Sequence, residues 1–142
     1  MKKIVTIAIL FVFTCIVTGT ALAQGEGVRA KVPFDFTVGS TSLPAGTYSI
    51  NSIGNSAIIK IDNLSNTGAH VLTMSQAPSG KPAPVRTLVF HKWGTQYFLS
   101  DVRGDEYHMN LHFPTSKEEK RAKAEATEAE LHTSSTVLVA LK

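Results

Sequence analysis

Cysteine is almost absent from this chain of 142 residues. The only one, Cys15, lies inside an apolar segment near the start, so residues 24–142 contain none. That part of the chain therefore excludes a disulfide framework, a thiol nucleophile and a thiolate metal site. A domain without such cross-links depends on its own hydrophobic core, and the 119 residues from 24 to 142 are enough to build one.

An excess of charge of one sign is also missing. The chain has 14 Lys and Arg against 11 Asp and Glu, a net charge of +3, and this falls to +1 without Lys2 and Lys3. So small an excess does not predict a nucleic-acid partner or an anionic membrane partner. The chain also lacks the G-x-S-x-G motif, phosphate-binding loops and dinucleotide fingerprints, so we predict no enzyme and no cofactor.

A long apolar run occurs only at the start of the chain. Two lysines precede the uncharged segment Ile4–Val17, and Ala21-Leu22-Ala23 has the small-x-small pattern of a cleavage site. The sequence therefore predicts a signal peptide over residues 1–23, cleaved after Ala23, and a secreted or periplasmic protein whose mature chain has no membrane span. The alternative is an anchoring helix, although the run is near the lower end of the roughly 17–25 residues that a span requires.

The rest of the chain predicts a flexible leader, residues 24–29, and then a single β-rich domain, residues 30–142. Short segments rich in β-branched and aromatic residues alternate with turn signals about every 8–12 residues. This spacing predicts an all-β fold, mainly an antiparallel sandwich or a small barrel, with one C-terminal α-helix packed beside it. The lack of strand–helix–strand alternation excludes a parallel α/β sheet.

Local patterns locate several strands and turns. Alternation over Ala30–Phe36 predicts one half-buried strand, which Pro33 restricts to a sheet edge or a bulge. The segment Leu43–Gly46 predicts a turn in which Gly46 takes a positive φ. Residues 136–141 predict a short apolar strand that pairs into the sheet.

The stretch Val85–Phe113 predicts a three-stranded meander beside which the other strands lie. Alternation gives its last strand a core-facing set, namely Tyr107, Met109, Leu111 and Phe113. The first hairpin has apolar residues on both faces, so we expect it to be central or covered by the helix. A two-residue loop at Gly94-Thr95 groups Phe90 with Leu99, a three-residue loop groups it with Phe98, and parity does not choose between them.

The pattern changes to that of a helix after Phe113. Ser116 and Glu119 have the spacing of a capping box, in which Ser caps the helix and Glu reaches back to the Ser backbone. Residues 116–132 are rich in Ala, Glu and Lys, which favour a helix. Because its apolar face is mostly alanine, we expect this helix to lie over or beside the strands rather than in the core.

The candidate binding residues are aromatic: Trp93, Tyr97 and Tyr48. Together they could form a platform on which a sugar ring stacks. Trp93 carries most weight, because a large apolar side chain at a turn tip requires a partner. The alternative is that Trp93 folds back onto the helix or a neighbouring loop.

The five histidines do not predict a metal site. His108 and His112 share a strand face but lie four residues apart, about 13 Å at ~3.3 Å per residue. That separation is too large for two ligands of one zinc ion. We therefore expect surface or structural histidines and no metal.

Five segments together resemble a known group of proteins: Val32–Gly39, Leu43–Tyr48, Leu88–Lys92, Tyr97–Ser100 and Pro114–Glu119. In these segments, and in the same order, the chain resembles an uncharacterised family of small secreted β-rich proteins common in soil acidobacteria. The resemblance covers nearly all of the mature chain. It implies export and a layout of strands with one helix, and it brings no catalytic or binding residue with it.

These observations lead to one expected function and two alternatives. We expect an exported, non-enzymatic binding or structural module of the cell envelope or extracellular space, with a glycan or an envelope component as the kind of partner. The first alternative is a carbohydrate-binding β-sandwich that uses Trp93 and nearby Tyr residues. The second is a small β-barrel that carries an apolar ligand.

Overall fold

The computed structural model describes residues 27–54, 57–66, 68–76, 85–104, 109–126 and 135–142. The predicted signal peptide, residues 1–23, lies outside them. In chain order the described elements are β1 Val28–Val32, β2 Phe36–Val38, β3 Thr41–Leu43, β4 Gly46–Ser52, β5 Ile58–Asn63, β6 His70–Met74, β7 Thr87–Trp93, β8 Gln96–Arg103, β9 Leu111–His112, α1 Lys117–Glu125 and β10 Ser135–Ala140. Within this part of the chain, no helix is both long and apolar enough to cross a bilayer.

The strands form two sheets. One has four antiparallel strands in the order β1-β4-β5-β6. The other has six, in the order β10-β7-β8-β2-β3, with β9 also paired to β8. Its pairs are antiparallel except β2 with β8, which run parallel and meet at Thr37 and Phe98. The described residues therefore form a mainly antiparallel β structure with one helix, consistent with a sandwich.

Single bridges link the two sheets at both sides. Ala30 of β1 pairs with Leu141, just after β10, and Gln76, just after β6, pairs with His112 of β9. The backbone N–H of Lys142 also donates to the Arg29 carbonyl at 2.8 Å. The edges of the two sheets are therefore joined by isolated bridges and not by continuous hydrogen-bonded ladders.

The core fills the space between the sheets. Sixteen buried hydrophobic side chains form one cluster there, and Tyr48, Ile61 and Phe90 are fully buried within it. The Phe90 ring meets Phe34 and Phe36 edge-on, with ring centroids 5.2 and 5.3 Å apart. Because burying one such side chain contributes about 1.5–3 kcal/mol, this cluster is the main source of stability.

The predicted strand Ala30–Phe36 is two strands and not one. Pairing stops at Val32, and the chain passes over Pro33 to Asp35 before β2 begins in the other sheet. Pro33 has no N–H to donate, which ends the β1 ladder at the edge of its sheet. The predicted leader is also too long, because Val28 is buried and pairs with Ile50.

Gly46 does not take the predicted positive φ. Among the described residues, positive φ angles occur at Gly39, Gly54 and Gly94. A Cβ atom on Gly46 would lie 2.8 Å from the Asn63 side-chain nitrogen, which is too close for real contacts. Glycine is required here because the Asn63 amide packs directly against the backbone.

The first hairpin of the meander has the two-residue loop. Trp93 pairs with Gln96 across Gly94-Thr95, and Phe90 pairs with Leu99. Gly94 has φ 59°, which suits the first position of a type II′ turn. A register shift between Val89 and Phe90 then aligns Val89 with Asp101.

The last strand of the meander is short. Of the predicted core-facing set, Phe113 is buried, and Met109 and Leu111 are partly buried against the core cluster, whereas Tyr107 lies outside the described residues. The apolar strand predicted at 136–141 is β10, which pairs with β7 from Thr87 to Lys92. The hairpin β7–β8 is thus central in its sheet.

Candidate functional site

Helix α1 begins where the sequence predicted. Ser116 is the N-cap, and its hydroxyl accepts a hydrogen bond from the Glu119 N–H at 3.1 Å. The helix ends at Glu125, because Ala126 takes an extended conformation with ψ 141°. The predicted helix over 116–132 is therefore too long at Ala126, and residues 127–132 lie outside the described part of the chain.

The Glu119 carboxylate is the central group of the site. Its side chain is only 7% exposed, and its Oε1 lies 2.7 Å from His91 Nδ1. The indole N–H of Trp93 donates to the same oxygen at 3.3 Å. The predicted reciprocal cap is thus replaced by contacts to the sheet, because the carboxylate is directed at two side chains of β7.

Lys123 completes this cluster. It lies one helical turn after Glu119, and its ammonium group sits 5.1 Å from the centre of the Trp93 ring. A cation over an aromatic face is attracted by the ring quadrupole. We call Glu119, His91, Trp93 and Lys123 the helix–sheet cluster.

The charges of the cluster depend on one another. The hydrogen bond to Glu119 raises the pKa of His91, with further help from the charges of Glu119 and Asp101, while burial and Lys123 oppose the rise. Burial alone would raise the pKa of Glu119, but the hydrogen bonds from His91 and Trp93 and the nearby positive charges outweigh it and lower that pKa. The arrangement therefore favours an imidazolium–carboxylate pair.

A second carboxylate–imidazole pair lies on the neighbouring strands. Asp101 Oδ1 is 2.9 Å from His112 Nδ1, and the buried Ser100 hydroxyl donates to Asp101 Oδ2 at 2.7 Å. Arg103 lies 3.9 Å from the same carboxylate. The Ser100 hydroxyl is bonded to the acid and not to the imidazole, so these residues do not form a nucleophile–base pair.

A groove of about 280 Å³ lies between α1 and the strands β2, β3 and β8. The sheet side is lined by hydroxyl groups and an amide, those of Thr37, Ser40, Ser42 and Gln96. The helix side supplies the charged groups of Glu118, Arg121 and Glu125. The groove thus offers donors and acceptors on both sides, and Trp93 lies directly across the hairpin from Gln96.

The three predicted binding aromatics do not share a surface. Tyr48 is fully buried in the core, where its hydroxyl donates to the Pro44 carbonyl and accepts from the Asn63 amide at 3.0 Å. Tyr97 stacks on Phe34 with ring centroids 4.1 Å apart. One platform built of all three is ruled out by strand alternation, which directs Tyr97 to the core and Trp93 to the helix.

Trp93 belongs to the helix–sheet cluster. Its indole folds back toward α1, which was the alternative that the sequence offered. Ligand contact at Trp93 stays a prediction.

A metal site has no support in the described residues. Within them, no group of three or more His, Cys, Asp or Glu side chains is placed to hold a metal ion. His91 and His112 each bind one carboxylate. His108 lies outside the described residues, so its predicted separation from His112 is not tested.

Sequence reasoning missed His91 and Glu119 as partners. Their separation of 28 residues leaves no local signal. The spacing of His91 and Trp93 on one strand face was visible, since residues two apart in a strand point the same way. What was missing was the position of the helix over that face.

No family model matches the chain, and no match to it was found among curated proteins or among solved structures.

Proposed function

We propose that this protein is an exported, non-enzymatic binding module of the cell envelope or extracellular space, and that its ligand is a polyhydroxylated molecule such as a carbohydrate. Export is supported by the leader pattern over residues 1–23 and by the resemblance to small secreted β-rich proteins. The groove beside α1 is the proposed binding site.

The groove lining is the observation that carries the proposal. Sugar hydroxyls both donate and accept hydrogen bonds, and the groove presents hydroxyl groups, an amide, carboxylates and a guanidinium. Small-molecule sites use a few such convergent polar groups to fix orientation. Trp93 pairs with Gln96 across the hairpin loop, so the proposal includes contact between the ligand and the Trp93 indole ring.

A carrier of apolar ligands is less well supported. Such a carrier holds its ligand between or within its sheets, and here that space is occupied by the core cluster. The carbohydrate alternative is therefore the one that we develop.

The test is a titration of the mature protein with a panel of neutral mono- and disaccharides, followed by backbone NMR. We expect at least one sugar to shift the amide signals of Thr37, Ser42 and Gln96. Arg121→Gln should weaken this binding, whereas Lys120→Gln should not, because it removes the same charge from the same helix outside the groove lining. If no sugar shifts these signals, or if both variants bind like the parent, the proposal fails.

A further inference from the structure

Helix α1 packs on the six-stranded sheet through an unusually small and polar contact face. Its buried residues are Glu119 and Ala122, one carboxylate and one methyl group. A single methyl group contributes little hydrophobic stabilisation. The packing of this helix therefore depends strongly on what the Glu119 carboxylate bonds to.

The partner of that carboxylate is a group that can gain or lose charge. His91 Nδ1 lies 2.7 Å from Glu119 Oε1, and the His91 side chain is 38% exposed, so protons can reach it from solvent. A carboxylate only accepts, so Nδ1 must carry the proton in this bond. When the ring is charged the hydrogen bond becomes charge-assisted and about twice as strong as a neutral one.

We propose that protonation of His91 controls the packing of α1 on the sheet and so the shape of the groove beside it. With His91 charged, Glu119 holds the helix in place and the groove wall formed by Glu118, Arg121 and Glu125 is fixed. With His91 neutral, the helix is held less firmly and that wall moves more. As far as it concerns ligand binding, this inference rests on the proposed function of the groove.

The charged groups around His91 set the direction of the pH dependence. From α1 it faces Glu119 and Lys123, and from β8 it faces Asp101. The two carboxylates favour the charged ring and Lys123 opposes it, with the hydrogen bond to Glu119 as the main cause of the raised pKa of His91. Glu119 and Asp101 therefore determine that the pKa of His91 is raised and not lowered.

The pH window follows from both partners. The pKa of His91 is raised above its ordinary 6.5, so its stabilising contribution is full below 6.5 and is lost as the pH rises through the folded-state pKa. The pKa of Glu119 is lowered from its ordinary 4.5, so its contribution is full above 4.5 and is lost as the pH falls through the lower folded-state pKa. The pair is thus strongest at mildly acidic pH, between these two ordinary values.

The test measures the protection of the α1 amides and the titration of the His91 imidazole in the absence of any ligand. We would titrate the mature protein by NMR and measure amide hydrogen exchange at pH 5.5 and pH 8, corrected for intrinsic rates. We expect His91 to titrate above 6.5, and the α1 amides to lose about threefold or more of their protection relative to β4 amides at the higher pH. The signals of Thr37, Ser42 and Gln96 in the groove should shift with the same midpoint.

Two variants sharpen the result. His91→Asn keeps a donor for Glu119 but does not titrate, so the pH dependence of α1 protection should disappear. His70→Asn removes an exposed histidine of the other sheet and should leave the pH dependence of α1 protection unchanged. Helix protection that is independent of pH in the parent protein would overturn the inference even if His91→Asn does not fold.

The two proposals fail in different ways. Sugars that bind equally well at pH 5.5 and pH 8, with unchanged helix protection, would leave the binding function standing and reject the control by His91. Helix protection that follows the His91 titration, with no sugar bound at either pH, would support control of the helix and reject the carbohydrate function.

Discussion

The two faces of the six-stranded sheet are both covered, but by different chemistry. On the inner face, Leu88, Phe90, Leu99 and Val102 join the core cluster. On the outer face, Val89 and Phe98 are buried as well, yet they lie outside that cluster. There the cover is a nine-residue helix whose buried residues are a carboxylate and an alanine.

This difference means that the inner face stabilises the fold, whereas the contacts on the outer face change with conditions. Apolar contact on the inner face does not depend on pH, and close packing gives it one arrangement. The outer face is joined to α1 through hydrogen bonds and charges, whose strength changes with protonation. The comparison therefore assigns the fold to the inner face and the candidate site to the outer one.

The largest effect should come from the inner face. Phe90→Ala removes a fully buried ring that contacts Phe34 and Phe36, so we expect a loss of about 3–5 kcal/mol of unfolding free energy. Urea denaturation followed by circular dichroism measures it. A loss below about 1 kcal/mol would mean that the inner face is not the main source of stability.

The adjacent residue probes the outer face. Val89→Ala removes a smaller side chain, 2% exposed, from the outer face, and we expect a loss of about 2 kcal/mol. The same denaturation experiment measures it. A loss equal to that of Phe90→Ala would contradict the distinction between the faces.

The helix cap should have a smaller effect. Ser116→Ala removes the acceptor for the Glu119 N–H, which typically costs about 1 kcal/mol. Because the cap also positions the first turn, the α1 amides should exchange faster than those of β4. Ser116→Asp keeps an acceptor and serves as the matched control; if it behaves like Ser116→Ala, the cap does not act through this bond.

The smallest effect is expected at Leu138. This residue of β10 pairs with Val89 but is 60% exposed. Leu138→Ala should change the unfolding free energy by less than about 0.5 kcal/mol, as is usual for exposed positions. A larger loss in thermal or urea denaturation would indicate that the cover over the outer face extends to β10.

The fold class could be predicted because period-two alternation and turn residues are local signals. They were sufficient for the β-rich fold class, for the helix start at Ser116 and for the two apolar faces of the β7–β8 hairpin. Alternation could not show that Pro33 to Asp35 carries the chain from one sheet to the other, since the side chains of Val32, Phe34 and Phe36 face the core in either case. The register of the β7–β8 hairpin depends on the length of its loop, and Gly94, with its positive φ, sets a loop of two residues.

The candidate site could be predicted only in part. Trp93 was identified from its position near a turn, and the structure places it in the helix–sheet cluster. Tyr48 and Tyr97 were included for their chemistry, but an aromatic side chain serves a core as well as a binding surface. The pairing of Glu119 with His91 depends on tertiary contact, which no pattern within either segment encodes.

The bridges at the sheet edges bear on the self-association of this protein. Strand edges with unpaired amides recruit other chains and lead to polymerisation. The pairing of Ala30 with Leu141, and of Gln76 with His112, occupies such amides with partners from the same chain. These two backbone bridges, which involve very few residues, thus hinder the edge-to-edge pairing of one copy of the protein with another.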